Sequence, residues 1–362
     1  MSIKPQKQSE KTMNRRDFHK QTLVIGIGAL AGSAKANVVA GGDGKGMRLA
    51  IKGVTYTGIW YDGPALTIPQ IIGRAKKHGF AGVEIDAKRP QAFPLDVDEK
   101  ARDEIRRKLD ETQVELAAVS SYNNFIEPLH EYQEMNLITV REQLKLARDL
   151  NAKILRVFAS WPGVVTNEKG FGRMAREMYE VRIKDLSHQQ RMDLAVKALK
   201  ELAPYAEEMG VTMALQNHPP GIQSYKDVLD ILDAVNSPYA KACMDLQNLR
   251  KGEDVRQAVL DTDSRQVHVH FNGEFRKMAN GRMECYTAKA DFPTYVKALL
   301  EINYQGFLSY EFCFPCKQKD KDGNKISDDL AGIERVDEQV QLARDFMSQT
   351  IADAKAALRA EG

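Results

Sequence analysis

The sequence predicts an α/β protein built as a single-domain (β/α)8 TIM barrel. Three observations carry this. From residue 50 onward, a short β-rich run is followed by a segment of helical periodicity eight times over. Such alternation implies parallel strands joined by helical crossovers, and eight units suit a closed barrel. The first strand leads into Thr57-Gly58-Ile59-Trp60-Tyr61, which lacks the GxGxxG turn expected of a doubly wound open sheet.

The expected strands are Ala50–Thr55, Gly82–Asp86, Glu115–Ser120, Ile154–Ala159, Val211–Gln216, Ala242–Leu246, Gln266–Phe271 and Phe307–Glu311. The expected helices are Ile68–Lys77, Glu99–Thr112, Leu137–Leu150, Gln190–Met209, Tyr225–Val235, Asp254–Leu260, Phe292–Ile302 and a last one from Val336 to about Ala357. His78-Gly79 and Met209-Gly210 each place a glycine where a left-handed helix cap is wanted. The barrel is expected over residues 48–357, with no low-complexity linker. The longest interruption, residues 160–189, reads as a lid-like insertion containing Gly163, Gly170 and Gly172.

Residues 1–36 read as an address. Asn14-Arg15-Arg16-Asp17-Phe18-His19-Lys20 is followed by an apolar run, Leu23 to Ala31, and by Ala34-Lys35-Ala36, a small-x-small cleavage pattern. The apolar run is about half the ~20 residues a spanning helix needs. The paired arginines with Phe18 and Lys20 resemble a twin-arginine export signal, so a periplasmic protein is expected, or a membrane-anchored one if the signal stays uncleaved.

Composition sets limits. With 362 residues, 43% of them hydrophobic and 28% charged, and a mean hydropathy of −0.44, the chain is neither a multi-span membrane protein nor disordered throughout. The formal charge of +2 comes from the leader. Residues 1–36 hold seven Lys/Arg and two Asp/Glu, which leaves 45 basic and 48 acidic residues, a net of −3. A folded part so balanced is not a nucleic-acid binder, and seven histidines in the whole chain are few for a multi-metal nuclease. No transmembrane segment is expected in the mature chain. The four cysteines are too few for a disulfide scaffold. Cys313-Phe314-Pro315-Cys316 has no second CxxC or His pair, and reads as a local disulfide or two thiols rather than a zinc site.

Polar residues gather at the C-terminal strand ends, where barrels of this kind build their sites. The fifth strand ends Gln216-Asn217-His218, the sixth at Asp245, the seventh in His268-Val269-His270 and the eighth at Glu311. Period two puts His268 and His270 on one face, and Gln216 with His218 if that strand stays extended. Asp245, His270, Glu311 and an amide oxygen from Gln216 then converge. Oxygen ligands with one nitrogen suit one divalent ion, manganese first, with magnesium, cobalt or zinc as alternatives. His268, one pleat deeper, reads as a packed histidine behind the ligands. Gln216 reads either as a ligand or as support for one.

On these residues the chain resembles the xylose-isomerase-like barrels, a group that includes sugar isomerases, ketose 3-epimerases, inosose dehydratases and endonuclease IV relatives. The resemblance covers about residues 48–357 and implies metal ligands at Gln216, Asp245, His270 and Glu311. The run from His268 through Gly273-Glu274 to Arg276 is similar to the ketose 3-epimerase pattern, which implies that Arg276 contacts substrate. Glu84, in Gly82-Val83-Glu84-Ile85-Asp86, resembles the family's substrate-side acid. Its alternative is a salt bridge to Lys88 or Arg156. Those epimerases carry Glu where this chain has Gln216, and use both glutamates as bases.

The expected substrate is a small unphosphorylated sugar, keto-sugar or glycoside, because no Gly-rich or Arg-clustered phosphate cradle is present. Metal binding to a carbonyl and a neighbouring hydroxyl acidifies the adjacent C–H and stabilises an enediolate. Glu311 is the expected base and His218 the second proton-transfer group, with capping of the Pro219-Pro220 loop as its alternative role. Trp60, Tyr122 and Trp161 offer flat faces for a sugar ring. Isomerisation or epimerisation is the expected reaction. Elimination from a keto-sugar, by a lyase or dehydratase, and a non-catalytic sugar-binding barrel are the alternatives.

Overall fold

The computed structural model describes residues 46–61, 63–165, 173–287, 290–313 and 332–361. The expected leader at residues 1–36, Cys316 and residues 166–172 of the expected insertion lie outside the described residues. Eight parallel strands close a barrel: β1 (Arg48–Lys52), β2 (Gly82–Asp86), β3 (Glu115–Ser120), β4 (Ile154–Phe158), β7 (Thr212–Gln216), β8 (Ala240–Asp245), β9 (Gln266–Phe271) and β12 (Phe307–Tyr310). β1 pairs with β2 on one side and with β12 on the other, Ala50 opposite both Gly82 and Ser309. The insertion after β4 contributes β5 (Val164–Val165), β6 (Arg173–Met174) and the helix α4 (Arg176–Ile183). A hairpin of β10 (Phe275–Lys277) and β11 (Met283–Cys285) follows β9.

The helices are α1 (Ile68–Lys77), α2 (Glu99–Thr112), α3 (His130–Asp149), α5 (His188–Met209), α6 (Tyr225–Val235), α7 (Val255–Thr262), α8 (Phe292–Glu301) and α9 (Gly332–Glu361). Local signals explain their ends. α5 starts at a capping box: the Ser187 Oγ accepts from the Gln190 N–H at 3.2 Å, and the Ser187 N–H donates to Gln190 Oε1 at 2.8 Å. It stops at Gly210, whose φ of +64° is a left-handed cap.

Several boundaries differ from expectation, and two have clear local causes. β1 ends at Lys52, three residues early, because Gly53 enters a 3-10 turn where its carbonyl accepts from Gln91 Nε2 at 2.6 Å. α3 starts seven residues early. Leu129, just before it, and Tyr132, Met135 and Ile138 in its first turns are exposed, so the apolar pattern there does not point at the core. α9 is tied to α1 by Asp337, which accepts from Tyr56 Oη at 2.8 Å and pairs with Arg74 and with Lys77 at 3.3 Å. Among the described residues, no helix is long and apolar enough to cross a membrane.

Candidate active site

Alternate residues of the barrel strands point inward, and in the half of the barrel toward the strands' C-terminal ends those side chains are polar and buried: Lys52, Glu84, Ser120, Arg156, Gln216, Asp245, His268 and His270. Burying so many polar groups is tolerable only where they satisfy one another. The deepest layer does so for most of its atoms, with His268 Nδ1 and Arg156 Nη2 left without a hydrogen-bond partner. Glu84 on β2 reaches across the barrel to β9, with His268 Nε2 2.8 Å from its Oε2 and His270 Nε2 2.9 and 3.0 Å from its two oxygens. Ser120 Oγ also donates to Glu84, and Arg156 donates to that hydroxyl at 3.1 Å. Burial works against a charge on Glu84, but the two imidazoles hold its carboxyl well below the usual range. Glu84 therefore lies beneath the cavity and pairs with neither Lys88 nor Arg156. Glu84 is not among the residues that line the cavity.

With Nε2 turned to Glu84, His270 presents Nδ1 upward. It stands 3.2 Å from Gln216 Nε2 and 3.8 Å from Glu311 Oε2. Asp245, His270 and Glu311 each offer a ligand atom, all within 4.8 Å of one another. Gln216 Nε2 also donates to Asp245 Oδ2 at 3.2 Å, while Gln216 Oε1 is buried without a hydrogen-bond partner. Gln216 thus turns its amide nitrogen to Asp245 and His270, and the two carboxylates and imidazole nitrogen of Asp245, Glu311 and His270 fit a hard or borderline divalent ion. Glu84, His268 and His270 form a second compact group, but the hydrogen bonds Glu84 accepts there already use its oxygens.

Neighbouring groups fix these atoms. Asn217 bonds the β8 end through both the Asp245 N–H (2.8 Å) and its carbonyl (3.1 Å). Asp245 accepts from the Gln247 N–H at 2.9 Å and from Asn248 Nδ2 at 3.0 Å, so it also caps the short turn Leu246–Asn248. Lys52 Nζ lies 3.1 Å from Glu311 Oε2 and 3.9 Å from Asp86 Oδ1. Burial and the charge of Glu311 push the Asp245 carboxyl up to about 7. Burial opposes the charge on Glu311 as well, but Lys52 and His270 hold it down at about 2.

Above this floor opens a cavity of about 140 Å³. Lys52, Gln216, Glu311 and His218 line it, with Trp60, Lys88, Tyr122, Phe158, Trp161 and Cys313. Trp161 stacks on Phe158 at 5.2 Å, and Tyr122 and His218 meet that pair edge-on or tilted. β7 does not stay extended to His218. The His218 N–H turns back to the Gln216 carbonyl at 2.8 Å, yet the side chain still reaches the cavity. Burial holds the His218 imidazole down at about 4, so it is neutral at physiological pH, and its Nδ1 has no partner.

Arg276 is not brought to this cavity. The chain turns at Gly273 (φ +137°) into the β10–β11 hairpin, where Arg276 pairs with Glu284 at 2.9 Å and its side chain is 48% exposed. Sequence reasoning missed Lys52 and Asn217. Asn217 stands between two polar residues that drew attention to themselves, and Lys52 is a lone polar residue whose setting in Ile51-Lys52-Gly53 resembles an ordinary edge lysine.

Solved structures share the fold at low identity. A D-psicose 3-epimerase with D-tagatose from Clostridium cellulolyticum H10 is 18% identical, covering 84% of this chain and 99% of its own, with a TM-score of 0.62. An L-ribulose 3-epimerase is 15% identical, covering 87% and 98%, with a TM-score of 0.63. The IOLI protein with a bound zinc atom is 16% identical, covering 85% and 99%, with a TM-score of 0.61. No curated protein matches the chain. The family pattern itself, however, runs through residues 72–347, from the first helix into the last, and by that match the chain belongs to the xylose isomerase-like TIM barrel family.

Proposed function

We propose that the protein is a divalent-metal-dependent isomerase or epimerase that moves a proton at a carbon beside the carbonyl of an unphosphorylated sugar, keto-sugar or glycoside. The convergence of Asp245, His270 and Glu311 within 4.8 Å, at the floor of an aromatic-walled cavity, carries this reading. Asp245, His270 and Glu311 would hold the ion, with Gln216 adding its amide oxygen, and manganese suits that donor set best, ahead of magnesium, cobalt or zinc. A divalent ion supplies Lewis acidity to a carbonyl and its neighbouring hydroxyl, which acidifies the adjacent C–H and favours the enediolate. The names of the D-psicose and L-ribulose epimerases and the zinc of the IOLI structure support the reading.

The side chains supply the rest. Glu311, kept anionic and oriented by Lys52, takes the proton from carbon. His218, neutral and lining the same cavity, is the second group that accepts or returns a proton. The faces of Trp60, Tyr122 and Trp161 hold the apolar faces of the sugar and exclude water.

Gln216 favours a second reading. Elimination from a keto-sugar needs one base and one acid rather than a carboxylate on each side, and an amide cannot be that second base. Elemental analysis of the purified protein, followed by NMR of candidate keto-sugars in D2O, tests both. Deuterium at the carbon beside the carbonyl of recovered sugar supports isomerisation or epimerisation, and an unsaturated product supports elimination. A protein without a tightly held divalent ion and without exchange would be a sugar-binding barrel. We also propose export of the folded chain by the twin-arginine route, on Arg15-Arg16 with Phe18 and Lys20.

A further inference from the structure

Lys88 lines the cavity between the aromatic walls. Its Nζ stands 3.8 Å from the Tyr122 ring centroid and 5.7 Å from that of Trp161. No hydrogen bond or ion pair is found for this ammonium among the described residues. Asp86, two residues earlier, is turned instead toward Tyr122 Oη at 2.8 Å and Lys52 at 3.9 Å. The other lysine of the cavity is committed as well, because Lys52 pairs with Glu311 at 3.1 Å. Arg156, deeper still, donates to Ser121 and Ser120 and lies 4.0 Å from the Phe158 centroid.

A half-buried ammonium that faces a cavity across two ring faces, with the charge of Asp86 nearby but no oxygen within hydrogen-bond or ion-pair distance, lacks the acceptor its three N–H groups need. Burial draws its pKa down to about 8, which leaves it protonated at neutral pH while marking the cost of that missing partner. The wider charge balance runs the same way. Lys52, Lys88 and Arg156 bring three cations to the depth of the cavity, while burial raises the Asp86 and Asp245 carboxyls, so less than the full charge of four carboxylates opposes them.

Resting on the sugar-site reading above, we infer that Lys88 is a binding residue for a carboxylate on the substrate, and that the natural substrate is a sugar acid of the keto-uronate type. The acid group would dock on Lys88 while the carbonyl end lies toward Glu311 and Gln216. Tyr122 touches both regions, its ring 3.8 Å from Lys88 Nζ and 5.5 Å from Lys52 Nζ, so one sugar chain can span them. A single ammonium between rings suits a carboxylate better than a phosphate, which wants several donors.

The test compares three ketoses that differ only at the terminal carbon: D-fructuronate, D-fructose and D-fructose 6-phosphate. Each is titrated calorimetrically into the manganese-loaded full chain and into its Lys88→Met and Lys88→Arg variants. A charge-assisted contact predicts fructuronate binding about 10-fold or more tighter than fructose. Lys88→Met should abolish that advantage, whereas Lys88→Arg should retain most of it. Equal binding of fructuronate and fructose, preference for the phosphate, or a Lys88→Met variant that weakens all three alike overturns the carboxylate assignment and leaves the sugar site standing. Failure of all three to bind overturns both readings.

Discussion

Gln216→Glu places a third carboxylate at the centre of the donor group, and the structure sets the size of its effect. The Gln216 amide nitrogen is 3.2 Å from Asp245 Oδ2. A like charge at that distance, with an effective dielectric near 20, costs about 5 kcal/mol. Escape is cheaper: with its carboxyl already pushed up to about 7, Asp245 takes up a proton at pH 8 for about 1.4 kcal/mol. The metal-free variant should therefore lose roughly 1–2 kcal/mol of stability, or roughly 2–4 °C in Tm. A divalent ion reverses the sign, because the new charge becomes a ligand in place of an amide. Ion at 100 times its Kd returns about 2.7 kcal/mol. Calorimetric scans at pH 8 in EDTA and in Mn²⁺, for both proteins, measure it. The variant should melt lower in EDTA and gain more from the ion than the parent. Equal melting in EDTA, or a metal-induced gain no larger than the parent's, refutes the metal site as drawn.

Other expectations are open to direct measurement. His270→Ala should lose tightly held metal by elemental analysis, and a fully metallated variant would contradict the ligand assignment. His218→Ala should retain the metal and lose about 10²–10⁴-fold in turnover, while normal turnover would reduce the histidine to a loop cap. Asp337, on the outer face, governs acid stability. Burial opposes its charge, but His78, Tyr56 and Arg74 bring its pKa down from 3.8 to about 2. A depressed carboxyl stabilises above its unfolded pKa and loses that contribution as pH falls through the folded value. Asp337→Asn should therefore cost about 2 kcal/mol at neutral pH, and should flatten the loss of stability between about pH 4 and pH 2 seen in denaturant titrations. Arg15→Lys with Arg16→Lys should leave precursor in the cytoplasm, and unchanged amounts of mature protein starting near Asn37 in the exported pool would contradict export by this route.

Much of the architecture follows from local rules. The bounds of β2, β3, β9, α1, α2 and α6 were readable to the residue, because period-two and helical patterns and nearby caps are properties of short segments. The alignment of Asp245, His270 and Glu311 at strand ends was readable too, since every strand of a parallel barrel ends on the same rim. What residues do inside the barrel is another matter. Glu84 and His270 lie 186 positions apart, and nothing in Gly82-Val83-Glu84 says that this carboxylate will cross to β9 rather than face a substrate. Its partners depend on barrel closure and on register shifts such as those at Val83/Glu84 and Ala242/Cys243. Arg276 lies outside the cavity for the complementary reason. Strand period ends with the strand: past the turn at Gly273, Glu274 and Phe275 are buried while Arg276 is exposed on the β10–β11 hairpin. The sequence determined which residue types sit at the barrel's mouth. Tertiary structure decided which of them are partners, because a pairing across the barrel depends on strand stagger, and no short stretch of chain encodes that stagger.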